Sequence, residues 1–366
     1  MSVPLARPVL GPEEEAAVVD VLRSGQLSLG PRVPAFERAF AARLGVAHAC
    51  AVSSGTAGLH LALRAVGVGD GDEVVTTPFS FVASANVALY ERARPVFADI
   101  DPVTLCLDPD AAAAAVTERT RAVLPVHIFG WPAEVGALER LGFPIVEDAC
   151  EALGAVHPDG TPVGGSGHPA VFGFYANKQL TTGEGGIVTL SDGALKERID
   201  SERNQGRAPD MGWLDHDRLG FNYRLTDIAC ALGLAQLERL DGMLAARARV
   251  AGWYREALDG VEGLELPCPD AGGAVRGWFV FVVQLPRGTD RDATVRALAE
   301  RGVQSKPYLP AIHLMSFYRE RFGHREGEFP VCEDVAARSL ALPFFPAMEE
   351  GQVARVAREL RDVLGR

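Results

Sequence analysis

Three features of the 366-residue chain predict an α/β fold: a large domain with a mostly parallel sheet carrying one antiparallel strand, and a smaller C-terminal α+β domain. After a helical opening, short apolar runs alternate with helix-period segments as far as about residue 150, the rhythm of strands joined by crossover helices. Those runs are rich in Val and Ile and nearly free of polar alternation, as in strands buried on both faces. The length, at about 150 residues per domain, points to two domains and ample chain for a large core.

The elements follow in order. Helices are expected over residues 12–22 and 33–44, and strands over 49–52, 73–77, 95–98, 122–127 and 144–147. Segments 170–175 and 186–190 are joined by a short glycine-bearing loop, too short for a parallel crossover, so they are expected to be antiparallel neighbours in one sheet. Ile228 and Leu232, then Leu237, Leu240 and Leu244, recur at spacings of three and four and predict one long helix from 226 to about 258, linking two domains. Beyond Gly260 the pattern reads strand (278–285), helix (291–301) and closing amphipathic helix (350–364). The expected division is 1–240 and 241–366.

Charge narrows the function. With 36 Lys and Arg against 48 Asp and Glu, the net charge is −12, which argues against a nucleic-acid backbone or an anionic membrane as partner. Hydrophobic residues at 48% and charged residues at 23% fit an ordinary folded chain rather than a disordered one. The six cysteines are scattered without a Cys-x-x-Cys pair and read as reduced, mostly core thiols. The opening carries Pro4, Pro8, Pro12 and an acidic Glu13-Glu14-Glu15, unlike a secretion signal, and every apolar run is short of a membrane span. A cytoplasmic location is expected.

Three motifs carry chemistry. Ser53-Ser54-Gly55-Thr56-Ala57 follows a predicted strand and opens a helix, where free N–H groups and hydroxyls can hold a phosphate, although Ser and Thr are also ordinary helix caps. Glu147-Asp148 ends an apolar strand at the carboxyl edge, where open α/β sheets bind ligands. Lys178 sits in a turn ending Thr182-Gly183-Glu184-Gly185-Gly186 between two buried strands, and a lysine short of water is a usable nucleophile toward carbonyls. A phosphate cradle, a strand-end acid and a buried-turn lysine together match what pyridoxal phosphate requires: anchor, partner for the ring nitrogen, and Schiff-base amine.

With these motifs in place, the chain resembles the DegT/DnrJ/EryC1/StrS sugar aminotransferases of fold type I over nearly its whole length. Further matching segments are Leu5-Ala6-Arg7-Pro8, Thr77-Pro78-Phe79-Ser80-Phe81-Val82-Ala83, Pro125-Val126-His127, Glu147-Asp148-Ala149-Cys150-Glu151-Ala152-Leu153-Gly154 and Phe221-Asn222-Tyr223-Arg224. The resemblance implies that Lys178 carries the cofactor as a Schiff base and that Asp148 pairs with the pyridinium nitrogen. It also implies that Phe81 lies on the ring face, that Gly55 and Thr56 bind the phosphate, and that Asn222 and Arg224 reach it from the neighbouring subunit of a homodimer. Phe81 and Asn222 also have plain readings, in a core and in a turn.

Two departures stand out. Many relatives have Ser five residues before the lysine, where this chain has Gly173, so Asn177 or a water is expected to substitute. Where relatives often have Gln or His, Glu151 is expected beside the phenolic oxygen as a protonated carboxyl or in a shifted role. Tyr308 and His313 in Lys306-Pro307-Tyr308-Leu309-Pro310-Ala311-Ile312-His313-Leu314 match the family's substrate side, and each equally fits packing. The implied reaction passes an amino group from L-glutamate, leaving 2-oxoglutarate, to a nucleotide-linked keto sugar, with C4 of a 4-keto-6-deoxy sugar favoured over C3. Lys178 argues against the related pyridoxamine-dependent dehydratase, in which His replaces the lysine, and an acidic chain without a basic helix-turn-helix argues against a cofactor-binding regulator. No metal is implied.

Overall fold

The computed structural model describes residues 2–208 and 215–365. Seven strands form the main sheet: β1 (His48–Val52), β2 (Glu73–Thr76), β3 (Arg94–Phe97), β4 (Thr120–Leu124), β5 (Glu147–Asp148), β6 (Ala170–Gly173) and β7 (Gly186–Leu190). One part has the order β3-β2-β4 and the other β1-β7-β6-β5. Parallel bridges from Val123 to Ile145 and from Val126 to Asp148 join them. β2 runs parallel to β3 and β4, and β5 parallel to β6, whereas β7 is antiparallel to both of its neighbours. A second, wholly antiparallel sheet holds β8 (Phe281–Gln284), β9 (Lys306–Pro307) and β10 (Ser339–Leu342) in the order β8-β10-β9.

Three expected elements come out differently. The expected strand at 122–127 ends at Leu124, because Pro125 has no N–H for the ladder, and pairing resumes as the Val126–Asp148 bridge. The expected strand at 144–147 narrows to Glu147–Asp148, with Ile145 making an isolated bridge. The single long helix is two helices, Asp227–Glu238 and Leu240–Leu258, broken at Arg239 (φ −100°, ψ 0°). No Gly or Pro marks that break. The Arg239 guanidinium is held by Glu14 at 2.8 Å, at the start of the helix Pro12–Ser24.

The buried face of the helix Arg32–Leu44 meets the sheet through an aromatic cluster. Phe40 touches Phe36, Phe172 and Phe174 edge-on, with ring centroids 5.3–5.9 Å apart. Asp227 pins the start of that helix, accepting the N–H groups of Gly30 (2.7 Å) and Arg32 (2.8 Å). A separate core joins the helices Leu240–Leu258 and Glu350–Leu364 to β8 and β10. Val3 belongs to it and pairs with Val303, so the extreme N-terminus packs with the C-terminal part of the chain.

Among the described residues no helix is long and apolar enough to cross a membrane, and the six cysteines are free. Truncating Phe40, which is fully buried, to Ala should cost about 3–5 kcal/mol. Urea unfolding checks it, with a lowered midpoint and an unchanged slope expected.

Candidate active site

The carboxyl ends of β1, β5 and β6 converge on one edge of the main sheet, as open α/β folds place their ligand sites. From β1 the chain passes through Ser53 into the helix Gly55–Ala65. Ser54 caps this helix, its Oγ accepting the Ala57 N–H at 3.1 Å. The N–H groups of Gly55 and Thr56, in the first turn, have no carbonyl within the helix to bond, and the helix dipole adds positive potential there. The cap uses the Ser54 hydroxyl and the Ala57 N–H, and leaves the Gly55 and Thr56 amides out of it.

This helix start lies very close to the sheet. A Cβ on Gly186 of β7 would stand 2.7 Å from the Ser54 carbonyl carbon. One on Gly55 would stand 2.7 Å from the Cys150 Sγ, and one on Gly173 3.4 Å from the same sulfur. The Cys150 thiol thus fills the space between cradle and strand. Burial pushes its pKa well up, and Asp148 adds to the rise.

Asp148 is buried and each of its oxygens accepts one hydrogen bond. Oδ2 accepts the Ser84 hydroxyl at 2.7 Å and Oδ1 accepts the Cys150 N–H at 3.1 Å. Ser84 also bonds the Phe81 carbonyl, through its N–H (3.2 Å) and hydroxyl (3.3 Å), so one serine sets both the acid and the turn bearing Phe81. Phe81 is 61% exposed, a large apolar residue left uncovered, which removes the plain core reading.

The neighbouring Glu147 points elsewhere. It is fully buried, accepting from His127 Nε2 at 2.9 Å and from the Ser166 hydroxyl. Burial would raise this carboxyl, and those bonds overcome it and hold it below the usual range. With His157 these side chains form a cluster spaced for metal ligands. Yet His127 Nδ1 accepts the Ala133 N–H at 2.9 Å, which leaves the ring proton on Nε2, the atom that would have to ligate. His127 and Glu147 are a hydrogen-bonded pair at β5, beside His157, whose buried Nε2 has no partner.

Lys178 reaches toward Glu151, with Nζ 3.6 Å from Oε1, and lies 4.0 Å from the centre of the Phe279 ring. Glu151 Oε2 accepts the Phe129 N–H at 3.0 Å, and the Glu151 carbonyl accepts Gln179 Nε2 at 2.6 Å. Burial raises the Glu151 carboxyl above its ordinary range; Lys178 and the Phe129 N–H pull it down less than burial lifts it. Tyr308 packs against Phe129 and Phe279 (ring centroids 5.7 and 6.3 Å). Burial drives its hydroxyl pKa well up, with Glu151 adding to the rise. Arg247, buried, donates to the carbonyls of Lys178 (3.1 Å) and Phe279 (3.0 Å).

The remaining residues divide. Asn177 lies beside the lysine with its buried Oδ1 unpartnered. Arg224 bridges Val52 at the end of β1 in its own chain and donates to Asn204 at 3.0 Å, while Asn222 is exposed. His313 does not join the cluster. It is fully buried, with Nε2 on Glu333 at 3.0 Å and its ring edge-on to Phe329, because Ile312 and Tyr318 fold its segment into an apolar core. Ser84, Phe129, Phe279 and Arg247 were not singled out from the sequence. Only Arg247 left a signal there, a charge inside the buried helical stripe Leu240, Met243, Arg247, Val250, Tyr254.

A family model described as the DegT/DnrJ/EryC1/StrS aminotransferase family matches residues 8–361. The chain belongs to that family. It is 36% identical to the spore coat polysaccharide biosynthesis protein SpsC of Bacillus subtilis, across 99% of this chain and 97% of that one. Among solved structures it is similar to S. venezuelae DesV in complex with a ketimine intermediate, at TM-score 0.91 and 36% identity over 97% of this chain and 95% of that one. It is also similar to the aminotransferase TlmJ from Streptoalloteichus hindustanus, at TM-score 0.92 and 35% identity over 99% of both chains.

The protein is thus an aminotransferase that depends on pyridoxal phosphate, and its fold is that of these relatives. The residues present suit the cofactor: helix-start amides for a phosphate, an uncovered aromatic residue, a fixed carboxylate and an amine.

Two substitutions test the crowded floor. Gly55→Ala should destabilise the protein by about 1–3 kcal/mol through the Cys150 contact, and adding Cys150→Ala should recover most of the loss in a thermal melt. Gly173→Ser meets the same sulfur at ordinary contact distance and adds a hydroxyl on the cradle side. It should tighten pyridoxal phosphate about tenfold in a fluorescence titration, the worth of one hydrogen bond to a charged group.

Proposed function

We propose that the protein moves the amino group of L-glutamate to the ketone of a nucleotide-linked keto sugar, with C4 of a 4-keto-6-deoxy sugar as the site aminated. The reading is carried by one observation: a family match over residues 8–361 that retains an amine, Lys178, beside buried acid groups. Relatives support the substrate class. SpsC is named for polysaccharide biosynthesis, and the similar PseC of Helicobacter pylori is an aminotransferase of pseudoaminic acid biosynthesis.

When bound, the cofactor supplies an electron sink for the carbon that loses its proton. The chain's residues do the rest. Lys178 would hold the cofactor, and its free amine would move the proton at the donor Cα. Asp148 meets the ring nitrogen, Phe81 covers one ring face, and Gly55 and Thr56 take the phosphate, with Asn177 compensating for Gly173. Glu151 lies on the phenolic-oxygen side, and Tyr308 lines the substrate side.

We further propose a homodimer with shared sites, in which the exposed Asn222, and Arg224, serve the neighbouring subunit's phosphate. Large apolar side chains left exposed on the single chain, Phe81, Tyr90 and Tyr175 among them, support a covered surface.

Absorbance tests the first half-reaction. A visible absorbance band from the lysine-bound cofactor should form with pyridoxal phosphate, shift with L-glutamate, and be absent in Lys178→Ala. Nucleotide-linked 4-keto and 3-keto sugars offered separately to the aminated enzyme should then restore the band with the 4-keto compound. Restoration by neither would overturn the sugar reading.

A further inference from the structure

We propose that Glu151 is the proton carrier for Lys178: it takes a proton as the amine attacks a carbonyl and returns that proton to the hydroxyl that leaves as water. The inference rests on Lys178 being the covalent lysine and does not depend on which substrate is aminated.

Geometry carries it. Among the described residues Glu151 is the one carboxylate that pairs with Lys178. Its two oxygens have different surroundings: Oε2 is fixed by the Phe129 N–H at 3.0 Å, whereas Oε1 faces Nζ at 3.6 Å. The backbone is fixed too, since Gln179 bonds both the Glu151 carbonyl (2.6 Å) and the Gly277 carbonyl (3.0 Å). The carboxyl is therefore held beside the amine in a buried pocket.

The titratable groups that act on it are Lys178 after β6, Asp148 at the end of β5, Cys150 in its own turn, and Tyr308 after β9. Asp148 is committed to Ser84 and the Cys150 N–H, and the thiol and phenol are both pushed upward by burial. Burial also brings Glu151 above the usual carboxylate range, toward the range where a carrier both accepts and gives a proton readily.

The step balances. Lys178 starts as an ammonium and Glu151 as a carboxylate. Glu151 removes one proton, Nζ bonds to the carbonyl carbon of an aldehyde-bearing phosphate ester, and the oxygen takes a second proton from nitrogen. Glu151 then gives its proton to that hydroxyl, the C–O bond breaks, and water leaves behind a protonated C=N bond. Of the three ammonium protons one stays on nitrogen and two leave in water, and nothing is oxidised or reduced.

The test measures covalent capture rather than turnover. Apoprotein is mixed with pyridoxal phosphate, quenched with borohydride at timed intervals, and the modified Lys178 peptide is quantified by mass spectrometry from acid to neutral pH. Glu151→Gln keeps the size of the side chain and an oxygen for the Phe129 N–H. It should be captured about 10²-fold more slowly. It should also lack the wild-type rise in rate as pH climbs through the Glu151 ionisation. Pyridoxamine phosphate, which has no aldehyde, should bind the variant at least as tightly as wild type. Equal capture rates with the same pH profile overturn the proposal, and so does slow capture accompanied by lost affinity for pyridoxamine phosphate. Wild-type protein captured at another residue would remove the lysine assignment itself, a distinct result.

Discussion

The active-site geometry hangs on Arg247. Its guanidinium is 3% exposed, and among the described residues no carboxylate pairs with it. Burial pulls its pKa down to about 10, so it stays charged at neutral pH. Burying such a charge costs several kcal/mol, and hydrogen bonds from a charged group return about 1.5–3 kcal/mol each. The two carbonyls it bonds belong to Lys178 and Phe279, the residue that brings the amine and the residue whose ring lies beneath it. One side chain on the helix Leu240–Leu258 thereby ties the lysine loop of the main sheet to the strand-side segment of the second core. Loss of that tie would free both the amine and its aromatic neighbour.

The opposite side of the site is governed by crowding. Gly55 and Gly186 let the helix start approach β6 and β7, and Cys150 fills the gap left between them. Side chains at Gly55 or Gly186 would drive the cradle away from the strand ends that carry Asp148 and Lys178. Gly173 is different, since a Cβ there meets only ordinary contact. Its smallness is a missing donor rather than a steric demand.

How much of this was legible in the sequence varies with the type of interaction. Period and composition are local properties, so the parallel sheet, its antiparallel strand and most helices could be read directly. The helix break at Arg239 could not, because its guanidinium is held by Glu14, more than two hundred residues away. The same holds in the site. Lys178, Asp148 and the Gly55 turn announce themselves by motif, and the structure gathers them at one sheet edge. Ser84, Phe129 and Phe279 act through a hydroxyl, a backbone N–H and a ring face that are set only when distant segments meet. His313, left open in the sequence between the substrate side and packing, is bonded to Glu333 beside an apolar cluster.

Two carboxyl groups three residues apart share this pocket with one amine, and their hydrogen bonds divide the work. Asp148 carries a donor on each oxygen, the Ser84 hydroxyl and the Cys150 N–H, and so is committed in place. Glu151 carries a backbone donor on one oxygen and turns the other to Lys178. Two like charges this close would disfavour each other. A chain that puts an acid at position 151 must therefore either spend the lysine's charge on holding it ionised or let it bind a proton. Lys178 Nζ lies 3.6 Å from the Glu151 oxygen that does not take the Phe129 N–H, so the state of this carboxyl is tied to the state of the amine. The departure at Glu151 is in this sense coupled to Lys178.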